Sequence, residues 1–318
     1  MTQLDPSLFL ASTDSLNNTD PAILRLFLVR HGQTNANKNN ILQGHLNTSL
    51  NLQGHSQAQL CGSRFQQVKV DKVWSSDLRR CLQTLWGIVV GGDVKVDETT
   101  QNNEFAVEQL VEKLEAAAME NNGKFEADKD PETGEIAGDY GSLDEDISRV
   151  KGDGSDSGSR TPISISNKFR ERSMGPIEGR HIDDALKYAV ANGKNSYRDF
   201  GESKHDFCDR LFGEVEQNVV DIVANDDSTK NCLLITHGGS IRALINHFAN
   251  DLQYNMNPKL IPTDDVVKIV YNTSITVIDV FKKDVKDGKL GLKSGIIQVV
   301  GDTKHLGSQV EVKDQRIR

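Results

Sequence analysis

A chain of 318 residues with a formal charge of −9 and 36% hydrophobic residues has room for one large α/β domain or two small ones, with a real core and some unpacked chain. No run approaches the roughly 20 apolar residues of a membrane helix, and no basic stripe interleaved with aromatics points to nucleic acid. The acid is unevenly spread: Asp97 to Arg160 holds 18 acidic and 6 basic side chains, so the remainder is slightly basic and fit for an anionic ligand.

Residues 1–20 carry three Asp and neither Lys nor Arg. They read as a flexible N-terminal tail rather than a signal peptide or presequence. Ile23 to Val29 (ILRLFLV) is short, apolar and β-rich, as a buried strand is. Leu52 to Phe65 repeats small and apolar residues at helical spacing. Lys72-Val73-Trp74 predicts a strand that stops at Ser75-Ser76-Asp77, and Leu78 to Val90 a helix with Ser76 or Asp77 as its N-cap. The acidic stretch, about 97–160, holds the Gly-rich pieces GDYGS and KGDGSDSGS. It reads as a mobile insertion in a domain spanning 21–318, with one helix around Glu104 to Met119 and a surface open to a protein partner.

Order resumes near Pro162. Ile182 to Ala191 and Lys204 to Ala224 are predicted helices, the second with an apolar stripe of Phe207, Leu211, Val215, Val219 and Ile222. Cys232 to Ile235 predicts a second buried strand, ending in Thr236-His237-Gly238-Gly239. Ile241 to Phe248 then predicts a helix. Val266 to Val270, Ser274 to Phe281 and Gly295 to Val300 predict strands. Alternating strand and helix argues for a mainly parallel sheet covered on both faces. The four isolated cysteines (Cys61, Cys81, Cys208, Cys232) form no C-x-x-C and read as reduced thiols of a cytoplasmic protein, present also in the nucleus. Asn272-Thr273-Ser274 is a chance glycosylation triplet.

Two strands end alike, in Val29-Arg30-His31-Gly32 and Ile235-Thr236-His237-Gly238. In open α/β sheets ligands sit beyond the carboxyl ends of strands, and helix N-termini there offer free N–H groups to an anion. Arginine matches phosphate oxygens with planar donors. Neutral imidazole is a nucleophile near pH 7, and nearby cations oppose its protonation. A second histidine can donate to the equatorial oxygens of a transferring phosphoryl group, a step that runs on positioning and charge.

The stretches LVRHGQTNAN, VWSSDLRRCLQT, FRERSMGPIEG, FGES and LLITHGGSIRALI occur in one order, and with them the chain resembles the histidine phosphatase superfamily, in its phosphoglycerate mutase-like branch. The likeness is nearest to small fungal phosphatases. It implies a three-layer α/β/α sandwich and a phosphomonoester hydrolase that needs no metal or other cofactor and acts on small phosphorylated metabolites. It also implies roles. His31 becomes the phosphohistidine. Arg30, Arg80, Asn37 and His237 hold phosphoryl oxygens. Gln43 and Gly44 lie in the substrate-contacting loop. Glu171 protonates the leaving oxygen, and Gly238 lends its N–H. Arg79 reads as a solvated helix charge and Glu178 as a residue that fixes a turn. Mutases of the family carry a long insert with an Arg pair after the catalytic Glu. Here a short span separates Gly179 from Tyr197 without such a pair, and Met174 replaces a bulky aromatic, so hydrolysis is favoured over mutase-type transfer. A non-enzymatic scaffold, the other alternative, would lack His31, Arg80, Glu171 or His237.

Overall fold

The computed structural model describes residues 6–10, 16–90, 163–258, 270–285, 288–292 and 294–309. The predicted insertion at 97–160, its helix at 104–119 and most of the strand predicted at 266–270 lie outside them.

A seven-stranded sheet runs β3-β2-β4-β1-β6-β7-β5. Its strands are β1 (Ile23–Arg30), β2 (Lys72–Ser76), β3 (Ile163–Ser166), β4 (Asn231–Thr236), β5 (Asn255–Met256), β6 (Ile275–Phe281) and β7 (Gly295–Asp302). β6 is antiparallel to both its neighbours, and every other pairing is parallel. The helices are α1 (Asn35–Lys38), α2 (Leu52–Phe65), α3 (Arg79–Val90), α4 (Ile182–Ala191), α5 (Lys204–Asn225) and α6 (Gly238–Asn246), which runs on into a π turn at His247–Asp251.

Strand side chains alternate between faces, and β1 divides accordingly. Leu24, Leu26 and Leu28 pack with the α5 stripe and with Ile241, Leu244 and Ile245 of α6. Phe27 and Val29 face Cys61 and Phe65 of α2 and Cys81, Leu82 and Leu85 of α3. Helices on both faces give the expected three layers. Local signals set the helix starts: Asn51 Oδ1 accepts from the Gly54 N–H (2.9 Å), and Ser203 Oγ from the Asp206 N–H (3.0 Å). Among the described residues no helix is long and apolar enough to cross a membrane.

Three expectations are corrected. The described part of the N-terminal stretch is not a frayed tail. Leu16 is 3% exposed within the α2/α3 core, and Asn18 exchanges hydrogen bonds with Asn231 at 3.0 and 3.1 Å. Gln298 donates to the Leu8 carbonyl (2.7 Å) and accepts from the Leu10 N–H (3.0 Å). A polar composition hid these anchors. Helix α6 begins at Gly238, three residues before the expected Ile241, because His237 already occupies its N-cap position. Arg79 is 7% exposed rather than solvated, at the start of a helix packed against the sheet, and its backbone N–H donates to Asn47 Oδ1 at 2.7 Å.

The sheet positions the site through one register. β1 and β4 pair Arg30 with Thr236, so the next residue on each strand is a histidine.

Candidate active site

His31 leaves β1 at the carboxyl end of the sheet, 3% exposed, with its N–H on the Thr236 carbonyl (2.9 Å). Its ring Nδ1 lies 2.7 Å from the Gly32 carbonyl oxygen. A carbonyl only accepts, so Nδ1 carries the proton and Nε2 presents a lone pair. Burial first, then the charges of Arg80 and Arg30, hold this imidazole neutral, well below its ordinary pKa. Asn272 Nδ2 donates to the His31 carbonyl at 2.8 Å.

His237 meets His31 edge to face, with ring centroids 5.3 Å apart. Arg80 Nε donates to His237 Nδ1 (3.2 Å), so Nε2 bears the proton and donates to Ser76 Oγ (2.9 Å). Burial and then Arg80 lower the His237 pKa as well. Both its ring nitrogens are thus already engaged. Cys81 Sγ lies 3.5 Å from His237 Nε2. Burial pushes the Cys81 thiol up to about 12, which keeps it a thiol.

Arg80 is fully buried and splits its fork. Nη1 donates to the Leu46 carbonyl (2.6 Å) and Nη2 to that of Gly44 (2.9 Å). Gly44 has φ +50°, and a Cβ there would lie 2.2 Å from Glu178 Oε1. The Glu178 carboxylate accepts from the N–H groups of His45 (3.1 Å) and Met174 (2.7 Å) and from Ser173 Oγ (3.1 Å). It holds its own turn through Met174 and Ser173, as its sequence context implied, and also ties that turn to the loop of His45. Arg30 Nη1 donates to the Val270 carbonyl at 2.6 Å. Burial lowers its pKa to about 10; Glu171 opposes that shift while Arg242 and Arg80 add to it.

Glu171 follows β3 and reaches the start of α6. Its carboxylate accepts from the N–H of Gly239 (2.7 Å) and of Arg172 (3.0 Å). Its carbonyl accepts from His45 Nε2 and from Arg210 Nη2, each at 2.9 Å. Arg210 also forks onto Glu202 (2.6 and 2.8 Å) and bonds the carbonyls of Lys168 (2.7 Å) and Arg170 (3.0 Å). Asn37 Oδ1 takes the Thr34 N–H (3.1 Å) and Asn272 Nδ2 (3.3 Å). Gln43 Oε1 accepts from the hydroxyls of Thr34 (3.0 Å) and Thr48 (2.5 Å).

His31, His237, Arg30, Arg80, Asn37, Gln43, Gly44, Glu171 and Gly238 all line one cavity of about 1070 Å³. The structure therefore brings every residue given a part in binding or reaction to one place. Reasoning from sequence missed Ser76, Asn272, His45, Arg210 and Gly239. Asn272 was set aside as part of a chance triplet, Ser76 was read only as a helix cap and Gly239 only as part of a strand-end turn, and no local pattern marked His45 or Arg210.

Residues 26–151 and 154–284 match the family model of the histidine phosphatase superfamily, branch 1. A broad-specificity phosphatase of Saccharomyces cerevisiae is 33% identical, with 95% of this chain and 96% of that one covered. Fructose-2,6-bisphosphatase TIGAR of Bos taurus is 26% identical, covering 79% of this chain and 86% of that one. The crystal structure of phosphoglycerate mutase from Bacillus anthracis matches the fold with a TM-score of 0.52 at 18% identity, covering 92% of this chain and 97% of that one. The chain is thus a phosphatase belonging to the histidine phosphatase superfamily, branch 1.

Proposed function

We propose that the protein hydrolyses small phosphomonoesters of varied structure through a phosphohistidine on His31. The observation that carries this reading is the bare Nε2 of a neutral His31, set between Arg30 and Arg80 with its other nitrogen tied to a carbonyl.

The substrate phosphate lodges among Arg30, Arg80, Asn37 and the Gly238 N–H. His31 Nε2 attacks phosphorus in line. The P–O ester bond breaks, and its electron pair stays on the leaving oxygen, which takes a proton from Glu171. Water then attacks phosphorus while the Glu171 carboxylate takes its proton. The N–P bond breaks, the pair returns to Nε2, and inorganic phosphate departs. Arg30 and Arg80 supply the positive charge that the transferring group needs, so no metal enters the scheme. A dianion bound here draws the Arg80 Nε–H to itself and favours a second proton on the freed His237 Nδ1, which then donates to phosphoryl oxygen.

Breadth of specificity follows from size, since a cavity of about 1070 Å³ far exceeds one phosphate group. Hydrolysis rather than transfer is supported by the short span between Gly179 and Tyr197, which holds no Arg pair and whose Ile182 and Asp183 line the cavity. The same reading keeps 21–318 as one domain interrupted at 97–160, with the acidic stretch suited to a basic protein partner. It places the protein in the cytoplasm or nucleus, in keeping with four unpaired thiols. The experiment is a panel of sugar phosphates, nucleotides and phosphoproteins assayed in EDTA, with an acid-labile phosphoenzyme trapped in the wild type. Phosphate release that survives in His31→Ala would remove the mechanism.

A further inference from the structure

Outside the phosphate cup, the cavity wall carries acids and cations in unequal states. The acids are engaged. Glu202 takes the Arg210 fork at 2.6 and 2.8 Å, Asp183 lies 3.5 Å from His181 Nδ1, and Asp199 Oδ2 accepts from the Ser196 N–H at 3.1 Å. Among the described residues the cations have donors to spare. Arg172 spends Nη2 on the carbonyls of Arg198 (2.5 Å) and Phe200 (3.1 Å), but its Nε is buried with no hydrogen-bond partner among the described residues. Arg242 lines the same cavity and has no hydrogen bond or ion pair among the described residues.

Their positions fall on one side of the reaction. Arg172 directly follows Glu171. Arg242 stands three and four residues after Gly239 and Gly238 on α6. Long helical side chains lean back over the preceding turn, which here is the turn whose Gly239 N–H holds the Glu171 carboxylate. The charge of Arg242 also reaches Arg30. Both arginines therefore line the cavity on the side where Glu171 is held, the side of the leaving group in the reading above.

We propose that Arg242 and Arg172 form a subsite for a second anionic group, a carboxylate or a second phosphate, carried on the leaving group of the substrate. Planar guanidinium donors match either anion, and a charge-assisted hydrogen bond formed away from bulk water separates charged from neutral leaving groups by about tenfold or more. The proposal rests on the hydrolysis reading above.

Two near-isosteric pairs test it in EDTA. 3-Phosphoglycerate against glycerol 3-phosphate exchanges a carboxylate for a hydroxymethyl group. Fructose 1,6-bisphosphate against fructose 6-phosphate adds a phosphate. The wild type should favour the extra anion in kcat/KM by at least about fivefold in one pair, which also tells carboxylate from phosphate. Arg242→Gln should cut that ratio by fivefold or more, while Arg242→Lys keeps most of it. No preference in either pair, or a smaller fall in Arg242→Gln, overturns the subsite. Should Arg242→Gln fail to fold, Arg172→Gln is judged by the same fivefold criterion. Turnover of glycerol 3-phosphate that persists in His31→Ala would instead sink the hydrolysis reading, so the two failures are distinct.

Discussion

The rings of His31 and His237 stand edge to face with centroids 5.3 Å apart, and Arg80 bonds the second while its charge bears on both. Removing the first ring should stop the chemistry and spare the fold, since the sheet register that holds the site is made by backbone. His31→Ala is expected to lose more than about 10³-fold in kcat, with circular dichroism and melting close to wild type. Activity within tenfold of wild type would refute the assignment.

Gly239 offers a sharper test of Glu171. A Cβ there would sit 2.2 Å from Glu171 Oε1, so the carboxyl group must move. Alanine is otherwise a better helix former than glycine. Gly239→Ala should therefore cut kcat/KM on glycerol 3-phosphate by about 10²-fold, in the range of a misplaced catalytic group. Its melting temperature should change by no more than a few degrees. Full activity would mean that the Glu171 carboxyl is not where the chemistry happens.

Glu171→Gln keeps the size of the side chain and removes its proton chemistry. Its loss should be larger for glycerol 3-phosphate, whose alkoxide is a poor leaving group, than for p-nitrophenyl phosphate, whose phenolate leaves unaided. Equal losses on the two esters would argue that the group only binds.

Arg210 works one step removed, through the carbonyls of Lys168, Arg170 and Glu171 and the Glu202 carboxylate. Burial opposes the Glu202 charge, yet the Arg210 bonds outweigh it and keep that carboxyl below its usual range. Arg210→Ala should cost about 2–4 kcal/mol in denaturant unfolding, because it strands a partly buried anion and several carbonyls. A positioning role adds a second sign: kcat falls more than KM rises, and Arg210→Lys, lacking the fork, restores stability better than rate. Equal restoration of both would make Arg210 structural only.

His247 gives a pH signature remote from the site. It lies 2.6 Å from Glu216 Oε1 and 2.8 Å from Asp251 Oδ2, stacked on Phe212. Burial pulls its pKa down, but the two carboxylates prevail and raise it. A folded pKa above the unfolded value of about 6.5 stabilises fully below that value and fades as pH climbs through the folded one. His247→Gln should therefore destabilise more at pH 5.5 than at pH 9, measured as denaturant midpoints. The reverse order would contradict the arrangement. His31 and His237 act with the opposite sign, since the unfolded chain takes up protons below about 6.5 that the folded chain refuses.

What was legible in the sequence was whatever is written locally. The apolar runs that become β1 and β4 each end in a histidine and glycine, and the stripe of α5 is plain from Phe207 to Ile222. Contacts between distant stretches leave no such trace. Arg210 resembled any charge on the polar side of an amphipathic helix, although it grips carbonyls some forty residues earlier. His45 showed no partner nearby, because the carbonyl it bonds belongs to Glu171. Leu16 was overlooked since a single apolar residue in polar surroundings signals nothing until its neighbours are known.

The pairing of Arg30 with Thr236 also decides what the molecule can tolerate. The two imidazoles are spaced by a hydrogen-bond ladder at the middle of the sheet, where a slip of one residue would turn His31 to the opposite face. The long stretch between α3 and β3 joins the chain elsewhere, ahead of the strand at the rim. The jig that aligns the reacting rings is built on the third and fourth strands counted from that rim.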